Sequence, residues 1–373
     1  MKIKYNGEEF YFENKISIQE AFKEQLQNAG EIIAARYNNE VASLKHVIDK
    51  DGEISFIDRR DRDGRTIYIR GLLYITSKAF HEVYPMAMLT VNYQLSNAMF
   101  VTIDDFIITD DVINNIKAKM NEIIERDLDI RKVIMTPTEA DMFYEKEKTL
   151  RGRLQADVDK DKVSLYYCED YYNYFYGTMP VSTGFATYYD IEKYRDGFLI
   201  KYPSVTEPNK IQDTRDSLKL KSALDEYSTI NKTLGLNTVY KLNQAIKEGR
   251  EKELILFSEA LHEKKIAEIA QKIKERGNVR MVLIAGPSSS GKTTFAGKLG
   301  MALRVNGIKP VTISVDNYFV ERQDNPKDEF GNYDFECIEA IDTKLFNEHL
   351  IRLLNGEEVE LPTFDFTLGT RNI

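Results

Sequence analysis

The stretch LIAGPSSSGKTTF, residues 283–295, places Gly286, Gly291, Lys292 and Thr293 in the register G-x-x-x-x-G-K-[ST], the pattern of a phosphate-binding loop. The run before it, VRMVLIA at residues 279–285, is apolar, β-branched and of strand length. After it, TTFAGKLGMALRVNG at residues 293–307 spaces Phe295, Leu299 and Leu303 along one helical face and stops at Asn306-Gly307. A buried strand, a loop and a helix are therefore expected in that order. Glycines in such a loop let backbone N–H groups close around a phosphate, and the helix N-terminus adds partial positive charge. The expected ATP-binding residues are Gly286, Pro287, Ser288, Ser289, Ser290, Gly291, Lys292, Thr293 and Thr294. Lys292 would reach the β and γ phosphates and Thr293 would hold magnesium. A glycine-rich turn without a ligand is the competing reading, and the flanking strand and helix patterns disfavour it.

The 373 residues suffice for two or three domains, and a hydrophobic content of 42% is ample for their cores. A net charge of −9 has the wrong sign for a chain that blankets nucleic acid, although a local basic face is compatible with it. Cys168 and Cys337 stand far apart with no C-x-x-C partner, which suits a reducing compartment and neither a disulfide framework nor a zinc ribbon. The start, MKIKYNGEEFYF, has no apolar core of signal-peptide length, and no stretch approaches a membrane span. A cytoplasmic protein with no membrane partner is expected. His46, His81, His262 and His349 are scattered and lack metal-ligand spacing.

Early in the chain, Asn6-Gly7 lies between alternating apolar positions and predicts a tight hairpin. Ser17 and Glu20 form a capping-box pattern ahead of a short helix, and EIIAARY and GEISFID read as strands. The mixed-charge run DRRDRDGR, residues 58–65, reads as a solvated linker. LLYITSKAFHEVYP then suggests a helix closed near Pro85, followed by strands at LTVNYQL and MFVTI. A second helix carries Ile113, Ile116, Met120 and Ile124 on one side, and Thr136 to Glu139 caps a third. The tyrosine-dense stretch from Leu165 to Phe185 has few basic residues, so amphipathic strands with hydroxyls facing water are preferred to a base-stacking surface. Residues 216–277 look helical, with Leu261, Ile266, Ile269 and Ile273 facing inward.

Beyond the loop helix, KPVTISVDNYF predicts a strand from Val311 to Val315 with Asp316 at its carboxyl end. Ligands of open α/β sheets bind beyond the carboxyl ends of the strands, so Asp316 and the phosphate loop are expected to share a crevice. A carboxylate there can take a proton from an attacking hydroxyl. A helix N-cap is its alternative role.

GPSSSGKTTF, SVDNYF, GNYDFECIEAID, LLNGEEVELPTFDF and a trailing TR resemble, in order and spacing, the uridine kinase and phosphoribulokinase group of P-loop kinases. The resemblance implies ATP- and magnesium-dependent phosphorylation of a nucleoside 5′-hydroxyl, with Lys292 and Asp316 catalytic and Asp316 as general base. It also implies that Asp334 grips the ribose hydroxyls and that Phe364 and Phe366 lie beside the nucleobase. Gly369 stands where uridine kinases carry a histidine, which leaves the base preference open. Kinases of this group continue with a second magnesium-associated acidic residue, an arginine-bearing lid and further sheet. The kinase part is therefore expected to be incomplete, and this chain inactive by itself.

Residues 1–62 resemble the TGS domain at the front of threonyl-tRNA synthetases. HEVYP, TVNYQLSNAMFVTID and PVSTGF resemble the second additional domain of those synthetases, which edits mischarged tRNA. In that family two histidines on the first helix, with a cysteine and a further histidine near a later strand, form the working site. Motif matching puts Arg70 and Tyr74 at the paired histidines and Phe175 and Met179 at the other two. A shared fold without the editing chemistry is the implication. The expected fold class is thus multidomain, α+β and α/β. It comprises a TGS-like β-grasp (1–62), an editing-like α+β domain (63–215), a helical connector (216–277) and the N-terminal part of a P-loop kinase domain (278–373). Expected partners are a nucleoside or related small-molecule acceptor, tRNA or other RNA at the N-terminal domains, and a second copy in a homo-oligomer. The alternative is a nucleotide-dependent RNA-binding regulator whose P-loop unit is a switch.

Overall fold

Asn6 and Gly7 both take positive φ, 49° and 84°, the backbone that a two-residue turn between right-twisted strands requires. The chain order that follows from this hairpin is β1 (Lys2–Tyr5), β2 (Glu8–Tyr11), β3 (Ile16–Ser17), α1 (Ile18–Ala21), α2 (Lys23–Asn28), β4 (Ile32–Tyr37), β5 (Glu40–Ala42), β6 (Val47–Ile48) and β7 (Gly52–Asp58). The computed structural model describes residues 1–28, 31–146, 161–214, 218–329 and 331–372. The chain divides into two units, Met1–Gln244 and Ala245–Ile373.

A mixed sheet of order β2-β1-β7-β4-β5 opens the first unit, with β1 and β7 parallel and the other pairs antiparallel. Ser17 and Glu20 cap α1 reciprocally. Fully buried Phe22 lies edge-on to the rings of Tyr5, Phe10, Phe12 and Phe56, at centroid distances from 5.1 to 6.0 Å.

The charged run at residues 58–65 is not a solvated linker. Asp61 N-caps α3 (Arg62–Val83), and its carboxylate accepts both terminal nitrogens of Arg36 at 2.9 Å, with Asp63 2.6 Å from the same guanidinium. Arg36 is held above the usual arginine range by those two carboxylates. The opposite charges that suggested a solvated run are used instead to fasten the helix start to β4. Lys45 adds a second tie, donating to the carbonyls of Ile130 at 3.0 Å and Val181 at 2.9 Å.

Next come β8 (Leu89–Leu95), β9 (Ala98–Ile103), α4 (Asp110–Glu125), β10 (Arg131–Met135), α5 (Pro137–Lys146), β11 (Val163–Cys168), β12 (Tyr171–Tyr174), β13 (Asp190–Tyr194) and β14 (Gly197–Lys201). They build a four-stranded sheet of order β13-β14-β9-β8 and a three-stranded sheet of order β10-β11-β12. Ile67, Leu72, Ile75 and Phe80 of α3 share one core with Ile116, Met120 and Ile123 of α4 and with Val101 and Phe198 of the first of these sheets. Gly71 is required at that packing point, because a Cβ would stand 2.3 Å from the Phe185 ring. Two tyrosines expected to face water face inward: Tyr166 and Tyr171 are 5% and 4% exposed, and their hydroxyls donate to the Gly177 carbonyl and to Ser77 Oγ. A buried tyrosine is stable once its hydroxyl finds a partner, and α3 supplies one.

The helical stretch is α6 (Leu218–Thr233), α7 (Val239–Lys247) and α8 (Glu251–Arg276), followed by α9 (Lys292–Val305), α10 (Thr343–Leu354), β15 (Thr363–Asp365) and β16 (Thr370–Asn372). Asp225 of α6 accepts from the Tyr93 hydroxyl at 2.9 Å and pairs with Lys221, which fastens α6 to β8. Gly277, in left-handed conformation, ends α8. Ile266 and Ala270 of α8 bury against Leu299 and Leu303 of α9.

The strands expected at residues 279–285 and 311–315 do not form. Neither run belongs to a strand, and Leu283 and Val311 are 84% and 64% exposed. An apolar run is buried as a strand only between ladder neighbours, and among the described residues none pairs with either. The architecture is a composite of α+β parts with several mixed and antiparallel sheets. Among the described residues no helix is long and apolar enough to cross a membrane.

Candidate functional site

The segment from Gly286 to Gly291 is a turn that feeds directly into α9. Ser289 and Gly291 take φ of 58° and 84°, and the Ser290 amide donates back to the Pro287 carbonyl at 3.3 Å. Gly286 admits no side chain without displacing Ser290, whose Oγ would be 2.7 Å from a Cβ. Gly291 is the N-cap of α9 and provides no side-chain acceptor, so the helix start lacks the usual side-chain cap. Lys292 folds back, its ammonium 3.0 Å from the carbonyl oxygens of Gly286 and of Pro287. Thr293 and Thr294 are exposed in the first turn. Uncapped amides and a primary ammonium thus gather at one loop, a donor set that fits phosphate oxygens. The Thr293 hydroxyl is an oxygen ligand of the kind magnesium takes.

Asp316 is exposed on a 3-10 turn, Val315–Tyr318, rather than at the end of a strand. That turn is firmly seated. The Tyr318 hydroxyl lies 3.0 Å from Nδ1 of buried His349, its ring is edge-on to Phe346 at 5.0 Å, and its carbonyl accepts from the Asp342 amide at 2.8 Å. Asn317 Oδ1 accepts from the Phe364 amide at 3.4 Å. Phe319 meets Phe364 at 5.7 Å and Phe366 at 6.0 Å. The structure therefore brings Asp316, Phe364 and Phe366 into one neighbourhood, through Asn317 and Phe319, neither of which stands out in the sequence. Asp334 is half-buried, and its carboxylate accepts the Glu336 amide at 3.0 Å within its own turn. Among the described residues no hydrogen bond or ring contact joins the phosphate loop to either carboxylate.

Gly369 has a physical reason of its own. Its φ is 74°, its carbonyl accepts from the Arg322 amide at 2.9 Å, and a Cβ there would lie 2.8 Å from the Arg322 side chain. Arg322 also donates to the Phe366 carbonyl at 2.8 Å. A histidine at this position would be strained by its backbone and would displace Arg322.

In the first unit the four positions matched to an editing site do converge. Tyr74 is fully buried, its hydroxyl 3.1 Å from the Tyr171 carbonyl and 3.3 Å from that of Tyr166, with its ring 5.7 Å from that of Phe175. Met179 belongs to the same cluster, and Arg70 donates to the Thr178 carbonyl at 2.5 Å. None of the four positions carries an imidazole; the His81 ring, two turns along α3 from Tyr74, packs on the ring of Tyr171 at 5.2 Å. The nearby thiol of Cys168 is pushed up to about 11 by burial, so it is protonated and unreactive at neutral pH.

One turn further along α3, Lys78 is completely buried. Its ammonium is 2.7 Å from Glu82, 3.3 Å from Glu169 and 3.6 Å from Asp170. Those three carboxylates lie within 4.8 Å of one another and could hold a cation. The lysine already serves as their counter-charge. Sequence spacing reveals only the Lys78–Glu82 pair, because Glu169 and Asp170 arrive from the β11–β12 turn.

Comparison with known proteins places part of the chain in context. The family described as "Phosphoribulokinase / Uridine kinase family" matches residues 281–372. The chain is also similar to threonine–tRNA ligase of Clostridioides difficile (strain 630), 26% identical over 159 residues, which are 42% of this chain and 25% of that protein. The threonine–tRNA ligase of Pelagibacter ubique (strain HTCC1062) is 25% identical over 188 residues, 48% of this chain and 29% of its own. That of Buchnera aphidicola subsp. Acyrthosiphon pisum (strain 5A) is 23% identical over 194 residues, 51% and 30%. The chain spans only 25% to 30% of the length of these relatives. The matches support a kinase-like, nucleotide-binding module at the level of the family and a weaker kinship with threonine–tRNA ligases.

Proposed function

We propose that residues 278–373 belong to an ATP- and magnesium-dependent phosphotransferase module that phosphorylates the 5′-hydroxyl of a nucleoside or a related polyol. The observation that carries this reading is the uncapped start of α9 with the Lys292 ammonium drawn over the same loop, inside the segment that matches a kinase family. Residues Gly286 to Thr294 would hold the phosphate chain, and Thr293 would hold magnesium, which neutralises phosphate oxygens when bound. Asp316 takes the proton of the acceptor hydroxyl. Asp334 holds the sugar hydroxyls, and Phe364 and Phe366 flank the base. Positioning and charge neutralisation, rather than covalent chemistry, supply the rate.

In this reading residues 1–62 are a TGS-like β-grasp, 63–215 an editing-like domain whose site is filled, and 216–277 a connector. A mixed sheet crossed by a short capped helix, and the threonine–tRNA ligase relatives, favour it. The test is ATP-dependent phosphorylation across a panel of nucleosides. Product establishes the kinase and names the acceptor. Absence of product with every nucleoside, with ATP still bound, overturns it.

The same relatives favour a second reading, in which the first unit grips tRNA and the loop unit acts as a nucleotide-dependent switch. A gel shift of the full chain with tRNA checks it. Lack of any salt-sensitive shift would remove the second reading.

A further inference from the structure

Arg59 precedes α3 and is only 6% exposed. Its guanidinium lies 5.3 Å from the Tyr68 ring and 4.9 Å from the Tyr188 ring, so aromatic carbon covers it. In its plane one nitrogen is used: Nη2 donates to Asn209 Oδ1 at 3.1 Å and pairs with Glu31. Among the described residues, Nε and Nη1 are buried with no hydrogen-bond partner. A guanidinium presents two edges, Nε with Nη2 and Nη1 with Nη2, each shaped to receive two oxygens. Both edges are half filled.

Asn209 belongs to a strap without regular structure, residues 204–214. Further along it, Gln212 Oε1 accepts from Asn97 at 3.2 Å, and Asn97 in turn accepts from Arg65 Nη2 at 2.5 Å. Arg65 stacks on Tyr202 at 5.5 Å, and its Nε is also buried without a hydrogen-bond partner among the described residues. Neutral amides on the strap therefore engage two stacked arginines, one directly and one through Asn97. Within the strap, Gln212 donates to Glu207 and the Glu207 amide donates to the Ser204 hydroxyl at 3.0 Å.

We propose that Arg59, with Arg65 beside the same strap, forms a phosphate-binding niche, and that a phosphate group entering it displaces Asn209 and lifts the strap. A buried donor left unpaired destabilises the fold around it. The single carbonyl oxygen of Asn209 serves one N–H, whereas two phosphate oxygens serve both N–H groups of one edge in charge-assisted bonds. Glu31 opposes the anion, and its exposed position lets it swing away. The niche is independent of the kinase reading and lies in the other unit.

The test uses the full chain carrying Lys292→Ala, which silences the phosphate loop, and follows hydrogen exchange of residues 204–214 as inorganic phosphate is added. Exchange of the strap is expected to quicken while α3 stays protected. Arg59→Lys keeps the charge but loses the fork, and should need roughly tenfold more phosphate for the same effect, the equivalent of about one charge-assisted bond. Glu31→Gln should lower the half-maximal phosphate concentration severalfold. A strap indifferent to phosphate in both the Lys292→Ala and the Lys292→Ala/Glu31→Gln chains overturns the proposal, as does an undiminished response in Arg59→Lys. A short RNA oligonucleotide forms the second arm. If it opens the strap at a lower phosphate-group concentration than inorganic phosphate does, the natural source is a nucleic-acid backbone; otherwise it is a small phosphorylated molecule.

Discussion

Replacing Lys78 with methionine isolates the contribution of the one ammonium that α3 buries beneath the β11–β12 turn. The side chains of its partners Glu82 and Glu169 are 24% and 36% exposed, and Asp170 is 86% exposed. Deleting one member of a fully buried pair costs about 3–5 kcal/mol, because the abandoned charge cannot reach water. Here the abandoned carboxylates do reach water, and Lys119 and Arg126 still face Glu82 and Glu169. The loss should therefore be about 2 kcal/mol, below that range. Amide exchange in the helix around Lys78 should accelerate about 30-fold, a readout that stays meaningful when a two-unit chain unfolds in steps. Burial pulls the Lys78 pKa down, but the hydrogen bond to Glu82 and the surrounding carboxylates outweigh it, and the net shift is upward from 10.5. A folded-state pKa raised above the unfolded one gives stability that is fully present below 10.5 and lost as pH rises through the raised value. The gap between wild type and variant should accordingly be flat near neutrality and close in strong alkali. Exchange that differs less than about threefold at neutral pH would refute the reasoning, since the ammonium would then hold nothing together.

Three further outcomes follow from the geometry. Gly291→Ala forces a side chain into φ of 84° at the N-cap of α9, at a cost of about 1–2 kcal/mol, and should weaken ATP binding about tenfold in a calorimetric titration. Asp316→Asn should abolish phosphoryl transfer and leave ATP binding nearly intact; unchanged turnover would remove Asp316 as the base. Tyr74→Phe takes the hydroxyl from two buried carbonyls at 3.1 and 3.3 Å and should lower the stability of the first unit by about 1 kcal/mol, with no effect on nucleotide binding.

Local signals in the chain were legible wherever the partner is a near neighbour. Asn6-Gly7, the Ser17 and Thr136 capping boxes and the helical spacing of Ile113, Ile116 and Met120 each depend on contacts within a few residues, and each appears as read. What failed needed distant partners. The run at 58–65 looked like a linker because Arg36, which binds Asp61 and Asp63, comes from another strand. Tyr166 and Tyr171 looked amphipathic because the groups that satisfy their hydroxyls, the Gly177 carbonyl and Ser77, come from a loop and a helix that pattern alone does not bring near. The runs at 279–285 and 311–315 have strand composition, but a strand is a property of the ladder rather than of the run. The site divides along the same line. Gly286, Gly291 and Lys292 meet within one turn, the proximity their spacing suggests, whereas the seat of Asp316 rests on His349, Asn317 and the Phe364 hairpin. Under the proposed function the same separation has a consequence: a phosphate cradle would be local enough for one loop to encode, while the placing of an acceptor against Asp316 would depend on contacts spread over the surrounding fold. Specificity for the acceptor should therefore change with substitutions at Asn317, Arg322 or His349 that leave the ATP affinity of the loop untouched.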